Sequence, residues 1–98
     1  MHPSIQIPKD ALKAFCLKHH IVRLAIFGSA LGPSFGPGSD LDVVVEFEQG
    51  HLPGLAFFAM EEELSALVGR KVDLNTPDFL SPSFREQVMK SAEVAYAA

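Results

Sequence analysis

The chain has no second cysteine, no apolar run long enough to cross a bilayer and no surplus of positive charge. With Cys16 alone, no disulfide closes within the chain, and a reducing cytoplasm is the expected setting. Its apolar stretches fall well short of the ~20 residues of a membrane span, so no membrane role is expected. The opening Met1-His2-Pro3-Ser4 has neither the basic start nor the apolar core of a secretion signal, and no leader is expected. Eight Lys and Arg stand against twelve Asp and Glu, and the net charge of −4 argues against direct nucleic-acid binding over a broad surface. A nucleotide held through metal ions stays open, because the metals carry their own local charge. Repeats, low-complexity segments and linkers are missing too. A chain of 98 residues, 48% hydrophobic and 20% charged, is expected to fold as a single globular domain over 1–98.

What is present reads as alternating helices and strands. Pro8 suits the first turn of a helix over about 9–20, with Leu12, Phe15, Cys16 and His19 in one buried stripe. Cys16 reads as a small core residue. His19 and His20 read as a helix-end residue and a solvated one rather than as metal ligands. Ile21 to Phe27 is a first strand, with Val22, Leu24 and Ile26 on one face and Arg23, Ala25 and Phe27 on the other. Gly28-Ser29 ends it, and Ser29-Ala30-Leu31 suits a short helical turn. Residues 32–39 are a Gly- and Pro-rich loop. Leu41 to Phe47 is a second, Val-rich strand covered on both faces. Leu55 to Val68 is a helix with Glu61, Glu62 and Glu63 mostly on its wet side, closed by Gly69. Lys71 to Leu74 is a third strand, and Ser81-Pro82 opens a last helix running to about Tyr96. The expected fold class is α/β (α+β), a small mixed β-sheet with helices packed on it.

The informative stretch is Gly28-Ser29-x10-Asp40-x-Asp42. Side chains at i and i+2 of a strand leave one face, so Asp40 and Asp42 stand roughly 6.6 Å apart along the backbone. Two carboxylates so placed repel each other unless a cation sits between them. Asp73, on the next strand, joins them if the strands are neighbours. Three such acids suit two Mg²⁺ ions about 3.5–4 Å apart, an arrangement used for in-line displacement at phosphorus. Gly28 permits close backbone approach, and the Ser29 amide and hydroxyl suit the terminal phosphates of a nucleotide. Asp73 is placed to act as general base toward an incoming hydroxyl. Each piece alone is weak, since Asp-x-Asp is common at turns. The combination is specific.

That combination resembles the signature of the DNA polymerase β-like nucleotidyltransferase superfamily. Phe27–Leu31, Ser39–Phe47, Pro53-Gly54-Leu55, Gly69–Leu74 and Leu80-Ser81-Pro82 make most of the chain similar to the minimal nucleotidyltransferases, the MntA-type antitoxins encoded beside HEPN-domain toxins. The resemblance implies a nucleotidyltransferase fold, Asp40, Asp42 and Asp73 as metal carboxylates, and Gly28 and Ser29 on the triphosphate. It also implies transfer of AMP from ATP to a tyrosine of the cognate toxin, which silences it. Two other readings stand beside it, an antitoxin that neutralises by binding alone and a transferase for a small, aminoglycoside-like acceptor. The chain departs from the pattern between Ser29 and Asp40, where Gly32, Pro33, Ser34 and Gly38 stand in place of charged residues. Arg70, Lys71 and Arg85, the remaining basic groups nearby, read as solvated surface. With no length left for a second domain, a partner protein or a second copy is expected to complete the substrate side. Exposed apolar surface on the first or last helix is the expected sign of it.

Overall fold

A computed structural model describes residues 5–33, 35–36, 38–51 and 53–98. The expectations that fall on residues 1–4, Ser34, Pro37 and Leu52 lie outside the described residues. In chain order the elements are α1 (Lys9–Lys18), β1 (Ile21–Phe27), a 3-10 turn at Gly28–Leu31, β2 (Leu41–Phe47), α2 (Ala56–Val68) and β3 (Val72–Asn75). A second 3-10 turn (Pro77–Phe79), α3 (Pro82–Ser91) and β4 (Glu93–Ala97) complete it. The sheet order is β3-β2-β1-β4. β1 is antiparallel to both β2 and β4, whereas β2 and β3 run parallel, with α2 as the crossover that parallel strands require.

The two faces of the sheet bury separate clusters. Leu12, Phe15 and Cys16 of α1 and Phe57, Met60 and Leu64 of α2 pack on Leu24, Ile26, Val43 and Val45. On the opposite face Leu80 and Val88 cover Ala25, Phe27 and Val44. Each fully buried aliphatic side chain there contributes about 1.5–3 kcal/mol by leaving water. The alternation expected for β1 fails at its first residues for a local reason. Ile21 pairs with Phe47 and Arg23 with Glu46, so Val22 is an extra residue in a bulge. Ile21 therefore joins Leu24 and Ile26 in the core, and Val22 does not. Cys16 is fully buried, and burial pushes its thiol up to about 12, as an inert core residue requires.

The last helix does not reach Tyr96. It stops at Ser91, Ala92 turns extended (φ −62°, ψ 139°), and Glu93–Ala97 form a fourth strand along β1. The spacing of Phe84, Val88, Ala92 and Ala95 is helical, but the open edge of β1 offers a ladder of backbone partners that overrides it. Val94 and Tyr96 had the alternation of a strand.

The opposite edge is protected by side chains. Val72 N–H donates to Ser65 Oγ (3.0 Å) and Leu74 N–H to Glu61 Oε2 (2.8 Å), two acceptors one turn apart on α2. Glu61 is thus no mere solvated acid; it satisfies a free donor of an edge strand. Glu63 likewise takes His19 Nε2 (3.0 Å) and Lys18 Nζ (3.2 Å), tying α2 to the end of α1. Glu61→Ala, which leaves the Leu74 amide without that acceptor, is expected to lower the urea-unfolding free energy by about 1 kcal/mol. Glu61→Gln, which retains an oxygen, should lose less, and equal losses would contradict the role.

Candidate active site

β1 ends beside the acids. Phe27 is opposite Asp42 in the antiparallel ladder, and the next residue, Gly28, has φ +74°. A Cβ on Gly28 would fall on Asp42 Oδ2 and lie 3.2 Å from its Cγ. Only glycine both takes the left-handed turn without strain and lets the carboxylate lie against the backbone. Ser29 follows, exposed in the 3-10 turn, whose carbonyl accepts from the Gly32 amide (3.0 Å).

Asp42 and Asp73 occupy the same rung of the parallel β2–β3 ladder. Val43 points into the α1–α2 core, so Asp42 shares the other face with Val44, on the α3 side. Burial, then the negative charges of Asp73 and Asp40, raise the Asp42 carboxyl above its ordinary value of 3.8. A hydrogen bond to the Asp73 side chain pushes the same way. Asp40 precedes the strand and is exposed, with Lys71 Nζ 3.9 Å from its carboxylate. Asp42 and Asp73 are therefore brought together, and Asp40 stands at their flank. Among the described residues no Lys, Arg or His forms an ion pair with Asp42 or Asp73. Two touching carboxylates without a cationic partner, all oxygen donors, fit a hard divalent ion such as Mg²⁺.

The loop before Asp40 is anchored by a residue whose role the sequence pattern hid. The Arg70 guanidinium lies over the Phe35 ring (4.4 Å) and donates to the carbonyls of Gly36 and Ser39, each at 3.2 Å. Ser39 and Gly36 close a tight turn beneath it, Ser39 N–H donating to Gly36 O (3.0 Å) and Gly36 N–H to Ser39 Oγ (3.1 Å). Arg85 similarly donates to the carbonyls of Pro77 (2.7 Å) and Leu80 (3.3 Å). Neither arginine is the solvated surface group expected; both brace loops. Lys71 alone keeps that character.

On the α3 side a cavity of about 370 Å³ opens next to Gly28, between Phe27, Leu31, Phe84, Gln87 and Ser91. Phe84 packs edge-on against Phe27 at 6.3 Å. Its place beside Gly28 makes Phe84 and Gln87 candidate lining residues that no local motif marks. A larger cavity, about 490 Å³, lies at the far end of β2 around Phe57 and Phe79. Gly28, against which the Asp42 carboxylate lies, lines the smaller one. Apolar exposure is greatest near the larger one. Leu55 (87% exposed), Phe58 (67%) and Phe79 (67%) exceed Leu17 on α1 and Phe84 on α3, so the start of α2 and the second 3-10 turn, more than the first or last helix, carry the open apolar surface.

The profile of the family described as Nucleotidyltransferase domain matches residues 9–95. Protein adenylyltransferase MntA of Thermococcus cleftensis is 35% identical over 75 residues, 76% of this chain and 72% of its own length. A solved structure assigned as a minimal nucleotidyltransferase superposes with a TM-score of 0.71 at 34% identity, covering 86% of this chain and 85% of that one. At 16–17% identity, two toxin–antitoxin complexes share the fold. One was solved with AMP-PNP (TM-score 0.74; 94% of this chain, 75% of that one). The other holds a tri-AMPylated Shewanella oneidensis HEPN toxin with an MNT antitoxin (0.65; 92% and 70%). The chain belongs to the nucleotidyltransferase domain family, and its activity is that of a nucleotidyltransferase. Its three helices on a mixed four-stranded sheet are the α+β fold expected of that family.

The raised carboxyl of Asp42 has a signed consequence. A group whose folded-state value lies above its unfolded one stabilises below the unfolded pKa, and that stabilisation is lost as pH rises through the folded value. Asp42→Asn, which mimics the protonated acid, is expected to melt above the parent at pH 7 without divalent ions. The gap should close as pH falls below 3.8. A variant that melts no higher at pH 7 would contradict the repulsion.

Proposed function

We propose that this chain transfers AMP from ATP to a tyrosine hydroxyl of a partner toxin of the HEPN class, and so acts as its antitoxin in the cytoplasm. The observation that carries the reading is the Asp42–Asp73 rung beside Gly28, with Asp40 at its flank. Supporting it are a relative named as a protein adenylyltransferase and a neighbour of the same fold seated on an AMPylated HEPN toxin. Asp40, Asp42 and Asp73 would hold two Mg²⁺ ions, which when bound supply positive charge to the triphosphate and to the reacting oxygens.

The residues of the chain divide the remaining work. Gly28 lets the triphosphate approach the backbone, and the Ser29 amide and hydroxyl donate to its terminal phosphates. The nucleoside lies in the cavity lined by Phe84 and Gln87. Asp73 accepts the proton of the attacking hydroxyl. The hydroxyl oxygen bonds to the α-phosphorus, the bond to the bridging oxygen breaks, and pyrophosphate leaves. The exposed apolar surface at Leu55, Phe58 and Phe79 is offered to the partner that carries the acceptor.

That same surface favours a second reading, neutralisation by binding alone. Incubation with α-labelled ATP, Mg²⁺ and the product of the neighbouring gene separates the two. Label on a toxin tyrosine, lost by at least about 100-fold in Asp73→Asn with ATP binding retained, is the expected result. Neutralisation that survives Asp42→Ala without any label would overturn transfer in favour of binding.

A further inference from the structure

At the other end of the β1–β2 ladder, the antiparallel register brings together three residues the nucleotidyl-transfer chemistry does not use. Ile21 is paired with Phe47, so His20 and Glu48, one step beyond, meet: Glu48 N–H donates to His20 O at 2.8 Å. A tight turn then returns His51, whose N–H donates to Glu48 O at 3.0 Å. His20 Nδ1 is 3.1 Å and His51 Nε2 3.7 Å from the same oxygen, Glu48 Oε2. The donor atoms of all three lie within 4.8 Å of one another. His20 takes a left-handed backbone (φ +59°), uncommon outside glycine, and this turn delivers its ring to that point. The two imidazoles stack at 3.9 Å.

We infer that His20, Glu48 and His51 form a binding site for a first-row transition dication such as Zn²⁺, separate from the carboxylate site. Zinc holds imidazole nitrogen at about 2.0–2.1 Å and carboxylate oxygen at about 2.0–2.2 Å, so tetrahedral donors sit roughly 3.4 Å apart. The two observed nitrogen–oxygen separations bracket that value. Two imidazoles with one carboxylate select zinc-like ions over Mg²⁺ or Ca²⁺, which prefer all-oxygen sets. All three side chains are about half exposed (50%, 52% and 47%), so the rings are free to swing out of their stack and aim at one ion. A cavity of about 180 Å³ borders the two histidines, leaving room for water in the fourth position. The site would clamp the α1–β1 corner to the segment leaving β2. It lies six strand residues from Asp42, roughly 20 Å away at the usual rise.

The test is calorimetric titration of the tag-free full chain with ZnCl₂ at pH 7.5 in excess Mg²⁺, which occupies the acids. One saturable site is expected, weakened at least tenfold in His51→Ala, in Glu48→Gln and in His20→Asn, the last chosen because Asn tolerates the left-handed backbone. His19→Ala, whose ring serves Glu63, should bind as the parent does. A second readout needs no variant: at one equivalent of Zn²⁺ the ring nitrogens of His20 and His51 should shift in NMR while those of His19 stay. Absence of saturable binding, or binding unchanged in His51→Ala with unshifted rings, would overturn the site.

Discussion

The parallel ladder between β2 and β3 sets Asp42 against Asp73 on one rung, and the molecule carries the resulting charge repulsion in its folded state. Much of the neighbouring structure is there to hold that rung. α2 supplies the crossover that makes the strands parallel, and its Glu61 and Ser65 satisfy the outer amides of β3, so a four-residue edge strand stays in place. Gly28 clears the space beside Asp42 that any side chain would fill. Arg70, stacked on Phe35 and bonded to the carbonyls of Gly36 and Ser39, fixes the loop from which Asp40 emerges.

This arrangement gives the two ends of the sheet different donor sets. Near the start of β2 the donors are all oxygen and negatively charged, which suits a hard cation. Past the end of β2 the exposed groups are imidazoles and one carboxylate, a softer set with a different preference. At that same far end, around the start of α2 and the second 3-10 turn, lies the open apolar surface of Leu55, Phe58 and Phe79. Phe79 in that surface belongs to the 3-10 turn that follows the edge strand carrying Asp73.

Most of this was legible where the signal is local. The periods of α1 and α2, the Val-rich β2 and the Gly28-Ser29 break gave elements close to those observed, and spacing marked Asp40 and Asp42 as candidates, with Asp73 joining them only if its strand neighboured β2, as it does. What escaped notice depends on partners distant in sequence. Glu93–Ala97 became a strand because β1 had an edge to offer, a fact absent from its own helical spacing. Arg70 looked solvated because nothing near it in sequence points to Phe35. His51 drew no attention because its meeting with His20 follows from the register of β1 on β2, 31 residues of chain apart. The bulge at Val22 shifted that register by one residue, which strict alternation does not reveal.

The central claim, that the Asp42–Asp73 rung is the cation site of a nucleotidyltransferase, is tested most directly with Mn²⁺ as a paramagnetic stand-in for Mg²⁺. In an amide-resolved NMR titration of the His51→Ala chain, which removes a donor of the second site, at a small fraction of an equivalent, the account predicts that Gly28, Ser29, Asp42 and Asp73 broaden first, and that added Mg²⁺ restores them. Broadening centred elsewhere, or none around Asp42 and Asp73 at stoichiometric Mn²⁺, would contradict it.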